Sequence, residues 1–187
     1  STGTIQSSRY GIYAQLVDGT LTIDNQGAIS STGGMGISAS ASGTGAVTVG
    51  NTAAISTTAR AIDTLTSSGN LEVTNTGILT VTGTDSAGIY AQSQDGATTV
   101  THSGGITTAD GRGIHARSTS GEVTVNASDD ITTGQATTTT HNHGIDAGST
   151  SGKVTVNFDN GTIKVVGTNT GGGNSIGIAA WDTGSTN

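Results

Sequence analysis

Several arrangements in this chain have residue types and spacings that could do chemistry. Gly173-Asn174-Ser175-Ile176-Gly177 matches the G-x-S-x-G pattern, in which a serine nucleophile is exposed on a sharp turn between a strand and a helix. His141-x-His143, followed by Asp146, could supply three metal ligands, because residues two apart on an extended segment point to the same side. Carboxylate pairs for general acid–base work could be drawn from Asp129-Asp130 or from Asp63 with Asp146. Asn126-Ala127-Ser128 and Asn160-Gly161-Thr162 are glycosylation acceptors on paper, and Gly148 to Lys153 loosely resembles a phosphate-binding loop.

Each pattern needs a particular structural setting, and the surrounding sequence decides whether it has one. The serine motif runs from a Gly-rich stretch into alternating apolar residues, with no helix to follow. The loop ending in Lys153 has the wrong spacing and no Ser or Thr after the lysine. Two histidines in a loop of an otherwise His-poor chain more often arise by drift than by selection for a metal, so no metal or other cofactor is expected.

The setting is repetitive. The phrase Gly-Ile-x-Ala recurs at Gly11-Ile12-Tyr13-Ala14, Gly36-Ile37-Ser38-Ala39, Gly88-Ile89-Tyr90-Ala91, Gly113-Ile114-His115-Ala116 and Gly144-Ile145-Asp146-Ala147, with looser copies at Ala61-Ile62-Asp63-Thr64 and Gly177-Ile178-Ala179-Ala180. Its isoleucine steps along the chain by 25, 25, 27, 25, 31 and 33 residues. Before it lies an aliphatic phrase (Ile5, Ile29, Ile55, Leu79, Ile106, Ile131, Ile163), and after it an apolar–Thr alternation such as Val47-Thr48-Val49 or Val123-Thr124-Val125. Three period-2 strands per ~25 residues, separated by Gly, Ser and Asp turns, predict an all-β chain: a parallel β-helix (solenoid) of about seven coils with three short strands per coil. No 3.6-residue periodicity is present for a helix.

Stacking turns each repeat position into a column. The inward columns are the Ile and Val positions, a small-residue column from Ala14 to Ala180, and a corner column reading Asn25, Asn51, Asn75, His102, Ala127 and Phe158. The first three of these predict an asparagine ladder with amides bonded up and down the stack. Residues 1–187 read as one β-helix segment, a fragment of a longer protein, with projecting loops at 135–143 and 167–175.

Composition narrows the function classes. Only 34 of 187 residues are Ile, Leu, Val or Phe, so a core must be shared between neighbouring turns. A net charge of −7 with six basic residues argues against nucleic acid. Cysteine and proline are absent, which removes disulfides and thiolate metal sites and suits continuous strand pairing.

The outward columns differ between faces. First strands show Gln6, Ser30, Ser56, Thr80, Thr107, Thr132 and Lys164, and third strands Thr22, Thr48, Glu72, Thr99, Thr124 and Thr155, which are solvated Ser/Thr surfaces. Second strands instead gather Tyr13, Asp63, Tyr90 and His115 in one column and Gln92, Arg117 and Trp181 in the next, with Arg60 and Arg112 at the edge. Aromatic and Arg side chains are the usual anchors of binding surfaces, so these nine residues form the candidate recognition face.

The repeat resembles the passenger domain of a type V autotransporter of Gram-negative bacteria. The likeness is carried by Gly88-Ile89-Tyr90-Ala91-Gln92, Val123-Thr124-Val125-Asn126, the junction Asn75-Thr76-Gly77-Ile78 and the lack of Cys, and it extends over essentially the whole chain. It implies a right-handed β-helix, secreted or displayed on the outer face of the outer membrane, with a translocating barrel in a missing C-terminal part. It also implies a non-enzymatic adhesion or binding module directed at a host-cell surface protein, receptor or matrix. Self-association between copies in aggregation or biofilm, or release as a host-directed effector, are the alternatives. A β-helix enzyme acting on carbohydrate fits the fold but lacks a carboxylate cluster.

Overall fold

In the computed structural model, which describes residues 3–84, 86–134, 142–166 and 175–184, the chain winds as a parallel β-solenoid. No helix occurs among the described residues. Three strands repeat in fixed order and sort into three parallel sheets, two of seven strands and one of six. The first sheet runs from Ile5–Ser7 through Leu79–Val81 to Ile163–Val165, every strand three residues long. The second runs from Ile12–Leu16 through Ile62–Thr66, Ser86–Ser93, Gly111–Ser118 and His143–Ser149 to Ile176–Asp182. The third runs from Thr20–Asn25 to Val154–Asp159.

The register follows the columns expected from the repeat. Ile29 pairs with Ile55 and Ile55 with Leu79, while Ile89 lies between Ile62 and Ile114. These inward side chains form one core in which Ile37, Ile62, Ile89, Ile114 and Ile145 are fully buried. Each such isoleucine contributes about 1.5–3 kcal/mol of burial, but only because a neighbouring coil covers it. Ile178, in the same column on the last strand of the second sheet, is 42% exposed.

The glycine that opens the repeated phrase has a packing reason. A Cβ built on Gly113 would lie 2.5 Å from the carbonyl oxygen of Gly144 on the next coil and against the Ile131 side chain. The backbone of successive coils comes too close there for larger residues, and the column accepts alanine only at Ala61.

Polar ladders hold two of the corners. Asn25 Nδ2 donates to Asn51 Oδ1 and Asn51 Nδ2 to Asn75 Oδ1, both at 2.6 Å, and each amide also donates to a backbone oxygen two residues on. His102 ends this ladder, its Nδ1 lying 2.9 Å from Asn75 Nδ2. Phe158 continues the column, packed against the core and partly buried. At another corner Ser93, Ser118 and Ser149 each accept from a glycine N–H three residues on and donate to a glycine carbonyl of the preceding coil.

His102 makes the asparagine ladder sensitive to acid. Asn75 is the donor in their bond, so Nδ1 must be the acceptor and the ring neutral. Burial, opposed by weaker local attractions, lowers its pKa from 6.5 to about 4. The unfolded chain therefore takes up a proton between pH 6.5 and 4 that the folded chain refuses. Stability is complete above pH 6.5 and falls as pH drops through that window, by roughly 3 kcal/mol at its lower end. Urea unfolding measured at pH 7.5 and pH 4.5 should show this loss, and H102N, which continues the ladder with an amide, should remove the share that His102 contributes.

Candidate functional site

Six of the nine residues of the candidate face, Arg60, Tyr90, Gln92, Arg112, His115 and Arg117, line one cleft of about 410 Å³, together with Ser86 and Ala87. The strands Ser86–Ser93 and Gly111–Ser118 place all of them but Arg60, which lies in the turn before Ile62–Thr66, and each of the two has eight residues against five in Ile62–Thr66. The extra length brings Ser86, Ala87 and Arg112 onto the same sheet surface as the aromatic column.

The centre of the arrangement is Asp146, which follows Asp63, Tyr90 and His115 in the same outward column but is not among the nine candidate residues. Its side chain is 1% exposed and accepts from Arg112 Nε at 2.9 Å, from Arg117 NH2 at 2.9 and 3.0 Å, and from His115 Nδ1 at 3.1 Å. Trp181 Nε1 lies 3.4 Å from its other oxygen, and His143 Nδ1 is 3.6 Å away. Burial alone would push this carboxyl up, but the bonds from His115, His143 and Arg117 outweigh it and hold the group well below the usual carboxylate range. Asp146 is therefore a fixed negative charge on which two guanidinium groups are hung. A clue was present in the sequence: register places Asp146 directly above His115, with Arg117 and Arg112 on the same lower strand.

His115 is buried, and its pKa is lowered, chiefly by burial and also by the charges of Arg112 and Arg117, against the pull of Asp146. It is neutral at pH 7, with Nδ1 protonated by assignment from its bond to the carboxylate. Its ring stacks on Tyr90 with centroids 4.7 Å apart. Arg60 covers the same tyrosine, its guanidinium carbon 3.6 Å from the ring centroid, while its NH1 donates to Asp63 at 2.6 Å. Tyr90 Oη donates to Gln92 Oε1 at 2.5 Å. Arg60, Tyr90, His115 and Asp146 thus form one stack along the solenoid.

Three of the nine residues sit differently from the rest of the face. Asp63 and His115 are not open surface groups: they are only 5% and 7% exposed, because arginine side chains and the stacked rings cover them. Tyr13, 54% exposed, lies in the same column but three register steps from Tyr90, about 14 Å at strand spacing, and packs on Tyr10 instead.

Trp181 belongs to the cluster through an absent side chain. In its column the strand between it and Arg117 carries Gly148, and the tryptophan ring folds back over that glycine to meet Arg117, whose guanidinium carbon is 4.1 Å from the ring. A Cβ on Gly148 would collide with the indole. G148A is therefore expected to expel the ring and forfeit the cation–π contact, about 1 kcal/mol. Trp181 is the only tryptophan, so a red shift of intrinsic emission checks the displacement.

The remaining motifs take structural roles or lack their setting. Ser175 is followed by the strand Ile176–Asp182 and not by a helix, so no nucleophile elbow forms, while Gly173 and Asn174 lie outside the described residues. Asp129 and Asn160 adopt positive φ values of 68° and 52° in stacked turns, and Asp130 accepts from the Thr162 N–H. Asn126 accepts from Asn157 across the third sheet at 2.8 Å. Asp63 and Asp146 stand three register steps apart, beyond the ~5–9.5 Å of glycosidase carboxylate pairs. His141 lies outside the described residues, as does most of the loops 135–143 and 167–175. His143 faces Asp146, but Arg112 and Arg117 occupy the carboxylate oxygens a cation would need, and no metal-holding cluster occurs among the described residues. Asn142 closes the end of its insertion against the body, accepting from the Gly111 N–H and donating to the Gly134 carbonyl.

Comparison with family models, with curated proteins and with solved structures gave no match for this chain. Its functional reading rests on the geometry above.

Proposed function

We propose that the chain is a β-helical segment of an autotransporter passenger, secreted to the outer face of a Gram-negative bacterium, and that it acts by binding a host-cell surface protein or matrix component through the cleft of the second sheet. The observation that carries this reading is asymmetry. Two of the three sheets present Ser/Thr columns to solvent, whereas the second collects three of the six basic residues of the chain, with Tyr90, His115 and Trp181 locked between them. Ordered Arg and aromatic groups on a rigid scaffold lose little entropy on binding, which is how such residues become hot spots. The repeat style and the absence of cysteine support the export route.

The test is a titration of labelled chain onto host cells and immobilised matrix proteins. Saturable binding is expected, weakened about tenfold or more by R60A combined with Q92A, changes that leave the Asp146 cluster intact. Binding that the double variant leaves unaltered would refute the assignment to this cleft. A second reading, self-association, is favoured by the outward Thr columns and by the Asn126–Asn157 bond that continues between coils of the third sheet. Sedimentation that shows only monomer at high concentration would exclude it.

A further inference from the structure

The chemistry of the cleft identifies more than a surface. Three guanidinium groups, Arg60, Arg112 and Arg117, face two carboxylates, Asp63 and Asp146, and both carboxylates are buried behind them. Leaving imidazoles aside, these five groups sum to one positive charge on a chain of net charge −7. Among the described residues each arginine binds its carboxylate through a single nitrogen, NH1 of Arg60, Nε of Arg112 and NH2 of Arg117, so much of each fork is unspent. Arg117 Nε is buried without a hydrogen-bond partner. So is the hydroxyl of Ser86, a residue only 7% exposed that lines the same cleft. Buried donors without partners are costly in a folded chain, and a ligand that accepts from them recovers that cost.

The aromatic rings do not offer a stacking platform in competition with this. Tyr90 is already sandwiched between Arg60, from the turn before Ile62–Thr66, and His115, from Gly111–Ser118, and Trp181 carries Arg117. Their effect is to hold the guanidinium planes in place, so the donors are arranged before any ligand arrives. Resting on the reading of this face as the recognition surface, we infer that the cleft is an oxyanion subsite, taking one carboxylate, sulfate or phosphate group borne on a small or chain-terminal ligand of about monosaccharide size. One surplus positive charge suits one such group, and the acidic remainder of the chain repels a polyanion that would run beyond the cleft.

The experiment titrates the chain with sodium sulfate, sodium phosphate, sodium glucuronate and glucose at constant ionic strength, following Trp181 emission and the His115 ring resonances. At least one of the three anions is expected to saturate both signals in the millimolar range, and the strongest of them names the source, sulfate, phosphate or carboxylate. Glucose should give no response. R60Q and S86A, checked for folding by circular dichroism, should each weaken the anion about tenfold, whereas K164Q, which removes a positive charge on the first sheet, should not. No saturable response to any anion, or equal weakening by K164Q, would overturn the inference. If anions fail while cell or matrix binding still depends on Arg60 and Gln92, the oxyanion chemistry is wrong and the recognition face stands. If anions bind while cell and matrix binding ignores those residues, the subsite stands and the adhesive reading falls.

Discussion

Replacing Asp146 with asparagine should cost about 3–5 kcal/mol of stability, the range for removing one partner of a buried charge cluster. The amide keeps the size of the carboxylate but cannot accept from Arg112, Arg117 and His115 together while neutralising two guanidinium groups. Those arginines are each about a quarter exposed and can turn partly to water, which places the effect near the lower end of the range. A thermal midpoint some 6–12 °C lower is the corresponding observable for a chain of this size. Adding R117M to D146N should recover part of the loss, because it removes one of the stranded charges. This coupling separates an electrostatic cluster from simple packing. D146N should also loosen the cleft, since Arg112 and Arg117 both take their direction from this one carboxylate.

The second large effect is expected at Asn51. Its amide accepts from Asn25, donates to Asn75 and donates to the Ala53 carbonyl, and the residue is 1% exposed. N51A would leave a donor on Asn25 and acceptors on Asn75 and Ala53 without partners, at a corner where Asn25 and Asn75 are buried. At about 1–3 kcal/mol for each stranded group, partly relieved by relaxation, the loss should be about 3–5 kcal/mol. Urea denaturation checks it. N51D should be at least as harmful, because a carboxylate cannot donate to Asn75. Were the ladder ornamental, N51A would unfold at nearly the wild-type urea concentration.

These two sites show where the fold could be read in advance and where it could not. The strand columns followed from the sequence because a parallel solenoid aligns equivalent repeat positions, so that Ile62, Ile89 and Ile114 had to stack once the 25–27 residue step was recognised. The asparagine ladder followed for the same reason. Side-chain direction on the outer surface did not follow, because long side chains reach across coils. Arg112 crosses to Asp146 on the next coil, and Trp181 reaches Arg117 over Gly148, two register steps in all. Outward position was therefore read as availability for contact at Asp63 and His115, where cover by neighbouring arginines and rings makes the groups buried. The serine ladder at Ser93, Ser118 and Ser149 escaped notice because Ser is ordinary on every face of this chain, and only register shows these three turned inward.

The cleft and the cluster behind it form one device. Asp146 and Asp63 set the arginines, Tyr90 and Trp181 hold their planes, and Ser86 lines the cleft with the three arginines. On a solenoid whose other two sheets are rows of Ser and Thr, this is where side-chain variety is concentrated.

A face-by-face comparison of partner binding tests that claim most directly. Three variants carry matched surface changes, each confirmed to melt like the parent: T80A/T107A on the first sheet, R60A/Q92A on the second and T99A/T124A on the third. Binding to host cells or matrix is predicted to fall about tenfold or more for the second-sheet variant and to stay within about twofold for the other two. Equal losses on all three sheets, or a loss confined to a Thr face, would contradict the account.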